Sequence, residues 1–203
     1  MKTLNLRKSA GIAALAVALS TTLVACSDDA DSATDSGDSA AASGDAGADT
    51  FGPGCSAIPE DGAGSFNGMA TEPVATAASA NPLLTTLVAA VGEAGLGDTL
   101  NSAEAITVFA PTDDAFGQIP EADLNAVLAD KELLTQILTH HVVGGQLGPD
   151  EVKGTHETLN GDTIKVRGKG EKLTVGDEKA AVLCGNIPTA NATVYVIDTV
   201  MMP

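Results

Sequence analysis

Two adjacent histidines and one carboxylate inside an apolar run are the side chains of this 203-residue chain best suited to acid–base or metal chemistry. The pair is His140-His141, and the third histidine is His156. Neighbouring helix positions point about 100° apart, so the pair does not converge on one metal ion. His156 lies beyond a glycine-bearing stretch, and no zinc-ligand spacing results. Advancing about 100° per residue from Leu133 places Leu134, Ile137, Leu138 and His141 in one stripe. His141 falls near its centre and His140 at its edge. His141 is therefore expected in the core, neutral or hydrogen-bonded to a buried acceptor. Asp198 follows the apolar run Val194-Tyr195-Val196-Ile197. Burial would force it to find donors or raise its pKa, and a backbone N–H or a polar core partner such as His141 is the expected donor.

Catalytic signatures are absent from the sequence. There is no G-x-S-x-G elbow and no G-x-G-x-x-G after a strand, and Gly168-Lys169-Gly170 lacks the upstream glycine and the Ser or Thr of a phosphate loop. Carboxylates crowd together only in the segment 27–54, where nothing would perturb them. No catalytic residue, metal or cofactor is assigned, and a non-catalytic protein is expected.

The cysteines divide into two uses. Lys2, Arg7 and Lys8 precede the apolar run 10–25, which ends in Leu23-Val24-Ala25-Cys26. The run is shorter than the roughly 20 residues of a membrane span and has the form of an export signal. Its end resembles the bacterial lipobox, which implies a diacylglyceryl thioether on Cys26 after cleavage of residues 1–25. Two acyl chains give stable anchoring. The expected location is the bacterial cell envelope, on the outer face of the cytoplasmic membrane, with shedding as a second fate. Residues 27–54 hold seven Asp and no base. Such a segment cannot bury apolar surface, so 26–54 reads as a lipidated cysteine with a disordered acidic tether. Cys55 and Cys184 remain. An even pair in an exported protein reads as a disulfide closing a loop of about 130 residues, with about 4–5 kcal/mol of chain-entropy stabilisation.

The whole chain carries 10 Lys plus Arg against 27 Asp plus Glu. That balance repels phosphate and excludes nucleic acid as a partner. Four of the seven bases after Cys26 nevertheless cluster in 165–172: Lys165, Arg167, Lys169 and Lys172. They read either as ordinary solvated hairpin charge or as a contact for an acidic polysaccharide or protein. Asn191-Ala192-Thr193 matches the N-glycosylation pattern and is read as accidental in a bacterial export route.

The elements that must position these residues follow from periodicity and punctuation. Asn81-Pro82 opens a helix with Leu83, Leu84, Leu87, Val88 and Val91 on one face, stopped at Gly92 or Gly95. Residues 106–110 form a buried strand ended by Pro111, and Thr112 or Asp113 caps a short helix that holds Phe116. Pro120 opens a helix through Leu128, and another covers about 131–142. Strands follow: Asn160-Gly161 marks a hairpin, and further strands fall at 172–175, 180–184 and 193–201. Helices followed by hairpins predict an α+β domain over 55–203 with an antiparallel sheet, preceded by an irregular stretch at 55–70.

Three blocks carry a family resemblance. They are Thr107-Val108-Phe109-Ala110-Pro111-Thr112-Asp113-Asp114-Ala115-Phe116, Leu138-Thr139-His140-His141-Val142-Val143-Gly144, and Ala192-Thr193-Val194-Tyr195-Val196-Ile197-Asp198-Thr199-Val200-Met201. In order and spacing they resemble the fasciclin domain. The two cysteines and the NPLLTTL segment look like the mycobacterial secreted immunogenic lipoproteins with one such domain. The resemblance implies a wedge-shaped antiparallel β-sandwich flanked by helices. It marks Thr107, Phe109, Pro111, Thr112, Asp113, Phe116, His140, His141, Tyr195 and Asp198 as motif positions, structural or interacting. Many members carry Tyr where His140 stands, and a Tyr-His pair there has been proposed to contact integrins in animal members. The implied role is cell adhesion, or binding to extracellular matrix, protein or glycan. The alternative is a carrier that holds a small apolar ligand in a cleft, against which the scarcity of aromatics speaks mildly.

Overall fold

The structure, a computed structural model, describes residues 45–203. The export signal, the Cys26 lipidation site and the tether up to residue 44 lie outside the described residues.

Seven short helices and seven strands build the body. The helices are α1 (Phe66–Ala70), α2 (Val74–Ala80), α3 (Thr85–Ala94), α4 (Gly97–Ser102), α5 (Asp113–Gly117), α6 (Glu121–Ala129) and α7 (Lys131–His140). The strands are β1 (Ile106–Pro111), β2 (Val142–Gly144), β3 (Gly154–Glu157), β4 (Thr163–Lys169), β5 (Lys172–Val175), β6 (Ala180–Pro188) and β7 (Ala192–Ile197). Their order in the sheet is β2-β1-β7-β6-β5-β4-β3. The two edge strands meet: Val143 bridges Thr158 just beyond β3, and the Leu159 N–H donates to the Val142 carbonyl at 2.8 Å. The sheet thus curls towards a barrel, and its edges are largely covered.

Local chemistry explains the boundaries. The Ser65 hydroxyl accepts from the Gly68 N–H to start α1. Asp130 accepts from the N–H groups of Glu132 and Leu133, both at 3.1 Å, to start α7. Gly95 ends α3 at φ 70, the left-handed conformation that favours glycine.

Strands β1 and β7 are buried along their whole length or nearly so, because both of their faces are covered. Ile106, Val108, Ala110, Val194 and Val196 join the core under the helices. Phe109, Tyr195 and Ile197, at the alternate positions, join a second core with Ile164, Val166, Leu173 and Val175.

Five sequence expectations change. First, the fold is α+β as expected, but the sheet is mixed: β1 and β7 run parallel, while the other five pairings are antiparallel. Second, Asn81 does not cap a helix that starts at once. It is buried and accepts from the Leu83 N–H at 3.0 Å in a turn, and α3 begins at Thr85. Third, the last strand stops at Ile197 and not at residue 201. Fourth, residues 45–54, read as tether, are packed on β6. Phe51 and Gly185 exchange backbone hydrogen bonds of 3.2 and 2.8 Å, and Asn186 donates to the Asp49 carbonyl at 3.1 Å. Glycine at 185 makes this approach possible, since a Cβ there would lie 2.5 Å from the Phe51 ring. Fifth, the stretch 55–70, read as irregular, includes α1.

Candidate functional site

The histidine pair closes α7, and both members are buried, His140 at 6% exposure and His141 at 2%. His141 lies in the core as its stripe position predicts. Its Nδ1 lies 2.8 Å from the Ile137 carbonyl, and its Nε2 accepts from the Met201 N–H at 3.0 Å. The proton therefore sits on Nδ1 and the ring is neutral. Burial drives its pKa down to about 4, against the opposing pull of the Ile137 hydrogen bond.

His140, at the edge of the stripe, is buried as well. Its Nδ1 lies 2.8 Å from each carboxylate oxygen of Asp162. Asp162 also accepts from the Thr158 hydroxyl and, at 2.9 Å, from the Asn160 side chain. Burial pushes the Asp162 carboxyl up, but the hydrogen bonds from Thr158, Asn160 and His140 outweigh it and hold the pKa below the usual carboxylate value. The turn between β3 and β4 folds over the end of α7 and supplies this partner. Asp162 and Thr158 were not singled out from the sequence, and beyond the Asn-Gly turn itself nothing local marks them.

Of the two donors expected for Asp198, a backbone N–H is the one that forms, and His141 is not in contact with it. Asp198 stands one residue past β7, where its N–H donates to the Ala181 carbonyl at 3.1 Å and its Oδ1 accepts from the Ala181 N–H at 2.7 Å. The carboxylate continues the β6–β7 ladder past the strand end, so a backbone N–H is its donor. The Thr199 hydroxyl adds a bond of 2.9 Å.

The remaining motif residues hold backbone. Thr112 caps α5 by accepting from the Ala115 N–H at 3.3 Å. Asp113 instead caps α3, accepting from the Thr86 N–H at 2.7 Å and the Thr85 hydroxyl at 2.6 Å. Burial would raise its pKa, but these bonds prevail and lower it. The Thr107 hydroxyl donates to the Gly145 carbonyl at 2.6 Å and accepts from the Leu147 N–H at 2.9 Å. The Tyr195 hydroxyl donates to the Leu147 carbonyl at 2.9 Å, and burial raises its pKa. Thr107 and Tyr195 thus fix the loop after β2 from two sides. Phe109, Pro111 and Phe116 are buried. Cys55 and Cys184 form the expected disulfide, with Cα atoms 4.8 Å apart. The Asn191 side chain donates to the carbonyls of Leu100 and Ala103, both at 2.8 Å, and accepts from the Val74 N–H at 2.9 Å, which ties α2, α4 and β7 together. Among the described residues no group of three or more His, Cys, Asp or Glu is placed to hold a metal ion.

Two surfaces stay open to partners. On β4, Lys165, Arg167 and Lys169 are exposed at alternate positions, with Val166 turned into the core between the first two. Lys172 pairs directly across from Lys169. The four cations therefore share one hairpin, and among the described residues none is held in an ion pair.

The second is a cavity of about 200 Å³ under the helices. Its wall combines Val74, Ala75 and Ala78 of α2, Leu87, Val88, Val91 and Gly92 of α3, Gly97 and Leu100 of α4, Leu138 of α7, and Val108, Phe109, His141 and Val142. The sequence did not point to it, because α2 and α4 carry no strong periodicity.

A family profile described as "Fasciclin domain" matches residues 82–203. The chain is 45% identical over 203 residues to "Immunogenic protein MPB70" of Mycobacterium bovis, covering 96% of this chain and 92% of that protein. It is 48% identical over 164 residues to "Cell surface glycolipoprotein MPB83" of the same species, covering 77% and 73%. A cyanobacterial relative, "Protein sll1483" of Synechocystis, is 36% identical over 129 residues, covering 62% and 71%. A FAS1 domain pair from the insect cell adhesion molecule fasciclin I overlaps 59% of this chain and 45% of its own, at 24% identity and a TM-score of 0.49.

Proposed function

Because the chain belongs to the fasciclin domain family, we propose that it is a surface-displayed, non-catalytic adhesion module whose contact face is the basic β4–β5 hairpin. The observation that carries this reading is the row Lys165, Arg167 and Lys169 along one exposed strand with Lys172 opposite, free of ion pairs among the described residues on an otherwise acidic protein. The row fits an acidic protein or glycan, and such complementarity acts first on the rate of encounter. The engagement of His140, His141 and Asp198 in backbone and carboxylate hydrogen bonds supports a structural role for them. Lipidation at Cys26 belongs to the same proposal. It is supported by the Leu23-Val24-Ala25-Cys26 pattern and by similarity to a protein called a cell surface glycolipoprotein.

Charge reversal of all four residues to Glu is expected to lower adhesion of the displayed protein to acidic matrix at least tenfold, with an unchanged melting temperature. Undiminished adhesion removes the hairpin from the account. Cys26→Ser is expected to release the protein into the medium, and retention in the envelope would overturn the anchor.

A further inference from the structure

The cavity beneath the helices differs from an ordinary packing defect in three ways. It measures about 200 Å³, far more than one water molecule occupies. Its wall is apolar but for His141, both of whose ring nitrogens are already engaged, by the Ile137 carbonyl and the Met201 N–H. A trapped water therefore finds no free partner, and water needs about two to four. Finally, several wall residues reach the surface. Val88, Val91 and Leu100 are half-buried, Gly92 is exposed, and added Cβ atoms at Gly92 and Gly97 would meet nothing within 4 Å.

We propose that this cavity is a binding site for a small, uncharged, apolar molecule. Its size sets the ligand: apolar cavities of about 150 Å³ take up benzene, so a single ring or a short aliphatic chain fills this one. Its charge is set by the wall, where no cation is present to meet a carboxylate. The residues that follow the two mouth glycines, Glu93 and Asp98, are acidic and exposed. An anionic head group would be repelled at the mouth, or would lose its hydration inside. The site is built from α2, α3, α4 and α7 with β1 and β2, elements separate from the basic hairpin, so it stands or falls independently of the adhesion reading.

Toluene and sodium octanoate are the probes, added to the purified chain and followed by thermal unfolding and by methyl NMR. Toluene is expected to raise the melting temperature saturably, by about 5–10 °C at a hundredfold excess over its Kd, and to shift the methyl signals of Val91, Leu100 and Leu138. Octanoate is expected to bind at least tenfold more weakly. Ala78→Leu, which fills the wall, is expected to weaken toluene binding at least tenfold. Should that variant fail to fold, Gly92→Leu at the open mouth decides. Absence of any toluene effect up to its solubility limit overturns the proposal, as does toluene binding that the folded filled variant leaves unchanged. Octanoate binding as tightly as toluene overturns the uncharged ligand class.

Discussion

Strands β1 and β7 show their two faces to two interiors that are filled very differently. Inside the curled sheet, Phe109 and Tyr195 pack at 5.7 Å between ring centroids, and Phe51 meets Tyr195 edge-on at 6.3 Å. Three of the five aromatic side chains of the chain thus serve this one core. Beneath the helices the same strands offer Val108, Ala110, Val194 and Val196, covered by short helices rich in small residues, such as α2 with the sequence VATAASA. There about 200 Å³ stays open. A sheet closed on itself has a narrow interior, which a few large rings fill. A layer of helices of 5–10 residues has no such geometric limit, and Ala and Gly at its contacts leave space. Aromatic packing and open space therefore lie on opposite faces of the same strands.

Phe109 is the wall between the two regions, a member of the barrel-side core that also lines the cavity. Phe109→Ala is expected to cost about 3–5 kcal/mol in urea unfolding. A loss under about 1 kcal/mol would mean that the two interiors do not pack separately.

Acid tests the helix-side boundary through His141. Its pKa is about 4 in the folded protein against 6.5 ordinarily, so folding favours the neutral ring. The associated stability is present above pH 6.5 and is lost as pH falls through about 4, amounting to about 3 kcal/mol for this fully buried group. Asp113 and Asp162, both lowered, add a further loss in the carboxylate range. NMR titration should show the His141 ring unprotonated at pH 5.5. A midpoint near 6.5 would contradict its burial.

The smallest expected effect probes the barrel side. Tyr195→Phe removes the hydrogen bond to the Leu147 carbonyl and should cost about 1 kcal/mol, with faster amide exchange at Leu147 and its neighbours. Unchanged exchange would show that Thr107 alone holds that loop.

Comparing residues one by one shows where the sequence was readable. The Asn160-Gly161 turn and the Cys55–Cys184 pair were legible, and the helix stop and the α5 cap were each narrowed to two residues of which the structure uses Gly95 and Thr112, because each depends on a local conformational preference or on simple pairing. His141 was legible through helical period alone. The environment of His140 was not, because its hydrogen-bond partner Asp162 lies 22 residues further along the chain. The short α1, α2 and α4 gave too few turns for a period to emerge.

The sequence by itself determined the apolar face of the helix that carries His141, where the chain turns, and that an apolar run precedes Asp198. Only the tertiary structure decided what covers the apolar surface: the parallel β1–β7 pairing, Asp162 over His140, Ala181 as the partner of Asp198, and the space left under α2, α3 and α4. The reason is that side-chain periodicity is a property of neighbouring residues. Cover and void depend on the curvature of a closed sheet and on how distant short helices settle against it.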